Sequence, residues 1–246
     1  MTLESIAFAA LGFSALVPAL LLHEVAHGWA ALLCGDPTAK EEGRLSLNPL
    51  RHVDPFMSVI LPAMLALSGS RVLFGGAKPV PISLWRCRNP RRAYWMIAAA
   101  GPLANLLQAL AGTGLVWLLE YGVQMAADGA GGVFSLFGTA RTVAMDPWGL
   151  ETEVRFETAK WLAWTFAWLY FYVATNVALM VFNLVPIPPL DGSRIVTVLL
   201  PRRLAEQYAR LEHVGLLIVF ALFWLPGTGE ALSSAVEWVL GLLGLH

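Results

Sequence analysis

Charge is scarce in this sequence. Asp, Glu, Lys and Arg together make up 13% of its 246 residues, about half the share of a soluble domain. That excludes a solvated surface over most of the chain. With a mean hydropathy of +0.64, it implies a protein largely immersed in lipid. Cysteine is scarce too, and Cys34 and Cys87 stand far apart. Two distant thiols give neither a disulfide framework nor a paired-cysteine metal motif, so both read as packing residues. A net charge of −1 offers no basic footprint for nucleic acid. The N-terminal MTLES lacks the basic start of a cleavable leader, and the apolar run behind it is too long for one. The first segment is expected to stay as a membrane helix. The chain has no internal repeat and no low-complexity tract.

Long apolar runs are what the sequence has. Residues 6–34 form one, closed by Gly35-Asp36-Pro37, a helix stop. Residues 93–123 and 159–184 form two more, the last opened by Trp161, Trp164 and Trp168 as at a membrane interface. The polar stretch 35–55 reads as a loop with short strands. Residues 56–69, broken by Pro62, are too short to span and read as a re-entrant segment, tolerable only when packed in protein. The run VPIPPLDGSR at 185–194 excludes regular helix. Residues 212–226 and 231–245 read as a helical hairpin closed by Pro226-Gly227.

Charge bias orients these spans. Residues 70–92 carry six basic side chains and no acid, residues 194–210 carry four arginines, and residues 124–158 carry more acids than bases. The positive-inside rule puts the first two stretches in the cytoplasm and the third outside. His27 then lies about 10 Å from the cytoplasmic end of its helix.

The chemistry centres on His23-Glu24-Val25-Ala26-His27. Positions i and i+4 share a helix face, so two imidazoles can converge on one metal ion while Glu24 projects beside them as a base for water. On a soluble helix this pattern is often only a solvated face. Here three ionisable groups sit within five residues of an apolar run, where buried polar groups are costly and functional by default. Catalytic zinc needs a third protein ligand and one open position. Asp191, before Gly192 and after two prolines, His52 in NPLRHVD, and His213 all compete for that place. Asp191 lies at the same expected membrane depth as His27, and His52 stands close behind it. Asn176 and Asn183 are seven residues apart and share a face, which is expected to point at the HEVAH helix. Gly101 and Asn105 suit close helix packing as well as they suit chemistry.

HEVAH in a membrane helix, followed far downstream by NLVPIPPLDG (183–192), resembles the site-2 protease family of intramembrane zinc metalloproteases. GRLSLNPLRHVDP (43–55), GGAKPVPI (75–82) and AAGPLANLL (99–107) resemble its compact bacterial branch without a PDZ domain. The similarity covers most of residues 20–220. It implies His23, His27 and Asp191 as ligands of one zinc ion per chain, Glu24 as general base, and Asn183 as a substrate-binding or oxyanion-stabilising amide. It also implies an edge strand at Gly75–Ile82 that clamps an extended substrate. The family's usual Asn-Pro-Asp-Gly core reads here as Pro-Leu-Asp-Gly, so only Asp191-Gly192 and Asn183 match directly.

The expected fold is a single all-α polytopic membrane domain over residues 1–246. It comprises a three-helix catalytic core, a re-entrant segment, a small cytoplasmic-side β element and a C-terminal helical hairpin. The expected activity is hydrolysis of peptide bonds in or near transmembrane segments of single-span substrates, within a bacterial inner membrane and toward its cytoplasmic side. The competing readings are a metal-binding membrane protein without hydrolysis and an inactive scaffold relative.

Overall fold

The computed structural model describes residues 3–52, 54, 60, 78–129, 160–224 and 227–245. Three long helices dominate it: α1 (Leu3–Cys34), α3 (Pro90–Gly129) and α4 (Lys160–Leu184). Each contains a stretch long and apolar enough to cross a membrane: Ala10–Cys34, Pro90–Val123 and Leu162–Leu184. They pack on one another in all three pairings. Among the described residues between α1 and α3 are the short helix α2 (Thr38–Glu41) and two 3-10 turns, Pro49–Arg51 and Leu84–Arg86. After α4 come α5 (Asp191–Leu199), α6 (Arg202–Arg210), α7 (Glu212–Trp224) and α8 (Thr228–Leu242).

The core helices are built inside out, as a membrane requires. On α3, Leu103, Leu107, Leu110 and Leu118 are exposed, while Gly101, Asn105, Gln108 and Gly112 are buried. Lipid is as apolar as leucine, so helices associate there through small residues and interhelical hydrogen bonds. Gly112 shows the tightness: a methyl group there would stand 2.7 Å from Val173 Cγ2 of α4. On α1 every fourth residue from Ala15 is buried: Ala15, Ala19, His23, His27 and Ala31. Val173 and Val177 meet Ala109 and Val116 in the main apolar cluster, which Leu240 of α8 closes. Cys87 packs with Ala31, Ala93 and Ile97, and Cys34 lies against them. Both thiols are thus packing residues.

Several expectations change. Residues 35–55 form no strand among the described residues. Gly35 and Gly43 take left-handed backbone (φ 105° and 64°), which glycine adopts at no steric cost. They fold the chain into α2 rather than into extended pairs. Regular helix begins earlier than the prolines suggest, at Asp191. Pro188 and Pro189 restrict only what precedes them, and a first helical turn needs no internal N–H bonds. The β element is not seen among the described residues, where Lys78–Ser83 is extended but unpaired with any strand. The re-entrant segment at 56–69 lies, apart from Ile60, outside the described residues.

Candidate metal centre

His23 and His27 face α3 at Gly101. A methyl group at Gly101 would stand 2.5 Å from His23 Cε1 and from His27 Nε2, so only glycine lets both imidazoles lie against this helix. Asp191 comes from α5, which packs on α3 and α4. The non-helical run 185–190 ends in extended Leu190, and Asp191 opens α5. Gly192 permits that placement: a Cβ there would lie 2.3 Å from Leu184 O and 2.7 Å from Val185 O. The run is braced from outside by Tyr208, whose hydroxyl donates to Pro186 O at 2.6 Å. Gly215 of α7 also packs on it, where a Cβ would meet Pro188 O.

The three side chains converge. His23 Nε2 lies 3.0 Å from His27 Nε2, and Asp191 Oδ2 lies 3.3 Å from the first and 3.2 Å from the second. All three residues are buried, and their ligand atoms form a group able to hold a metal ion. Four-coordinate zinc with nitrogen and oxygen ligands at about 2.0–2.1 Å has edges of roughly 3.3 Å between ligands.

The hydrogen bonds decide what these atoms can be. Asn176 Nδ2 donates to the Tyr172 carbonyl at 2.9 Å, so its Oδ1 is left to accept from Asn105 Nδ2 at 2.8 Å. Asn105 Oδ1 must then accept, and the donor is His23 Nδ1–H at 2.5 Å. His27 Nδ1–H donates to the Ile97 carbonyl at 2.7 Å. In the neutral imidazoles both Nε2 atoms therefore carry lone pairs. Two lone pairs and a carboxylate oxygen face one point with no proton among them, and buried Asp191 Oδ2 has no hydrogen-bond partner. Three convergent acceptors repel one another unless a cation sits between them. The donor set, two nitrogens and one carboxylate, suits zinc.

Glu24 lies outside this cluster. It is half-buried, and its Oε2 accepts the Val80 amide N–H at 3.1 Å. His52 is not in the cluster: it is buried under its own loop, with Nε2 bonded to Ser46 O at 2.9 Å. His213 is exposed beside Arg210 O. Asn183 turns back along its helix, its Nδ2 on Leu179 O at 3.0 Å. Of the asparagine pair, Asn176 reaches the HEVAH helix, through Asn105. The four-residue spacing of Gly101 and Asn105 was the available signal for their role. The resemblance marked the segment that contains Val80 as a substrate clamp, and the bond from its backbone amide to Glu24 was not foreseen.

The profile of peptidase family M50, the site-2 protease family, matches residues 9–226. The chain belongs to this family. "Putative zinc metalloprotease YwhC" of Bacillus subtilis (strain 168) is 31% identical over 224 residues, covering 91% of this chain and 82% of the relative. Rip2 of Mycobacterium tuberculosis (strain ATCC 25618 / H37Rv), named in the same way, is 25% identical over 226 residues, covering 92% and 71%. Rip2 of Mycolicibacterium smegmatis is 26% identical over 227 residues, covering 92% and 71%. No solved structure matches. As an M50 peptidase, the chain is a zinc metalloprotease and an integral membrane protein. His23, His27 and Asp191 are the described residues whose geometry fits the metal.

Proposed function

We propose that this M50 peptidase cleaves peptide bonds in or beside the transmembrane segments of single-span membrane proteins. His23, His27 and Asp191 hold the zinc, and Glu24 is the general base. The observation that carries this reading is the convergence of two imidazole nitrogens and a carboxylate oxygen within 3.0–3.3 Å of one another, with Glu24 next to His23 in sequence. When bound, zinc acidifies water and polarises the scissile carbonyl. Glu24 takes the proton of the attacking water and passes it to the departing amine, leaving a carboxylic acid and an amine as products. Asn183 releases its bond to Leu179 and holds the substrate. The burial of the cluster where α1, α3 and α5 meet keeps it from bulk water.

The basic stretches at 70–92 and 194–210 orient the site toward the cytoplasmic face of a bacterial inner membrane. Lipid is the protein's surrounding partner, and nucleic acid is not a partner.

The test is hydrolysis of a membrane-embedded single-span substrate by the detergent-purified protein, beside metal analysis. Wild type holds about one zinc per chain. Glu24→Gln keeps that zinc and loses turnover, His23→Ala and Asp191→Ala lose both, and His52→Ala keeps the zinc. Full turnover by Glu24→Gln would overturn the role given to Glu24.

A further inference from the structure

Lys78-Pro79-Val80-Pro81 runs extended beside α1, and its backbone N–H groups are all committed. Pro79 and Pro81 have no N–H. The Lys78 N–H donates to His52 O at 2.8 Å, and the Val80 N–H donates to Glu24 Oε2. No amide from 78 to 81 is left to pair with a substrate strand. As it stands, this segment is a brace for Glu24 rather than an open edge.

One side chain fixes the brace. Arg44 follows the left-handed Gly43 and is buried, 6% exposed. Its Nη2 donates to Lys78 O at 2.6 Å and reaches Pro79 O at 3.5 Å. Among the described residues Arg44 has no carboxylate partner, and its buried Nε has no hydrogen-bond partner. A buried guanidinium held by backbone carbonyls alone is costly, and an apolar residue would fill the space at less cost. Its neighbour Leu45 and Val80 meet over Gly28, one turn beyond Glu24. A methyl group at Gly28 would lie 2.6 Å from Leu45 Cδ2 and 3.1 Å from Val80 Cγ1.

We infer that Arg44 is a positioning residue for the base: it clamps Lys78 and Pro79 so that the Val80 amide holds the Glu24 carboxylate in place. This rests on the reading of Glu24 as general base. The hydrogen bonds of Arg44 go to Lys78 O and Pro79 O and not to the metal site. It acts through one backbone N–H.

The experiment is a double-mutant cycle on hydrolysis of the membrane-embedded substrate. Arg44→Met removes the clamp, and Val80→Pro removes the N–H without touching Arg44. Loss of one hydrogen bond to a charged group predicts a fall in kcat of about tenfold for each variant. KM and zinc content stay as in wild type. Because both changes act through the same bond, the double variant falls no further than Val80→Pro alone. Arg44→Lys, which keeps one donor, recovers part of the loss, and it serves as the test variant if Arg44→Met does not fold. Amide exchange in the peptide covering 78–83 accelerates in Arg44→Met and, at Val80, in Glu24→Ala. Additive losses in kcat, or unchanged exchange in Arg44→Met, overturn the inference. If wild type shows no hydrolysis that Glu24→Gln abolishes, the base assignment fails and takes the positioning role with it. If that hydrolysis is present and Arg44→Met matches wild type, the positioning role alone fails.

Discussion

His23 gives its Nδ1 proton to Asn105 Oδ1 at 2.5 Å, and that bond decides which ring nitrogen faces Asp191. The direction is set two residues away. The carbonyl of Tyr172 can only accept, so the carboxamides of Asn176 and Asn105 are oriented in turn and the imidazole has one tautomer left. Asn105→Leu keeps the volume and removes this order. Zinc affinity is expected to fall about 10–100-fold, the usual effect of losing a partner that orients a ligand. Competition against a chromophoric chelator measures it. Asn176→Leu weakens zinc binding in the same direction and by less, because Asn105 then keeps its bond to His23 but loses its own anchor.

Gly101 sets the distance between α1 and α3 at the metal site. Gly101→Ala places a methyl group where the two imidazoles lie. Backbone on one side and rings on the other leave no flexible neighbour to yield. The variant folds into the membrane with its helix propensity improved, by about 1 kcal/mol for a helical glycine replaced by alanine. It nevertheless holds well under one zinc per chain. Helix content by circular dichroism, measured beside zinc by atomic absorption, separates the two effects. A full complement of zinc in Gly101→Ala would show that the helices part without cost.

Zinc removal has a stability signature as well as an activity signature. Stripped of the ion, the buried oxygen of Asp191 and the two imidazole nitrogens lose the cation that holds them together and have only a proton to share in its place. Ligand-free protein therefore unfolds at lower temperature, and adding zinc at a hundred times its dissociation constant restores about 2.7 kcal/mol. Thermal unfolding in detergent, with and without chelator, reads this. In His23→Ala the shift on adding zinc disappears.

Asp36 ties the end of α1 to the chain leading into α3. Its carboxylate accepts from the Thr38 hydroxyl, the Thr38 amide at 3.0 Å and the Ser83 amide. Burial pushes its pKa up, but the bonds from Thr38 and Ser83, aided by Arg86, outweigh this and hold the carboxyl below its ordinary range. The folded pKa is the lower one, so this stabilisation is present above the unfolded value of about 3.9 and is lost as pH falls through the folded value. Asp36→Ala is expected to cost about 1–3 kcal/mol at neutral pH. Its difference from wild type narrows in acid, and denaturant midpoints at pH 7 and at pH 3 test this.

How much of this was legible in the sequence depended on how local each feature is. His23 and His27 share a face because one helix puts them there, and their pairing follows from a spacing of four. The three long spans follow from unbroken apolar runs, and their ends fell within a few residues of the observed helices. Asp191 was only one candidate among three, because its place depends on how close α5 comes to the end of α4, and hence on Gly192. His52 competed because a histidine that staples its own loop is the same residue type as a ligand. The strands expected at 35–55 gave way to α2 because two left-handed glycines outweighed a polar, turn-rich composition. Arg44 and Val80 lie in segments that the family resemblance picked out, but the part each plays could not be read. One acts through backbone carbonyls and the other through a backbone amide, and neither leaves a mark in residue identity.

Asp191 stands 164 positions after His27 (191 − 27) and reaches the cluster only once α4 has been laid down and the glycine after it has closed against Leu184. A ribosome that has delivered the first two spans into the bilayer has delivered two histidines and a glutamate, but no complete centre. If these three residues hold the zinc, a nascent chain with only two spans inserted has no complete centre, and the protease becomes armed only after its third span has been made.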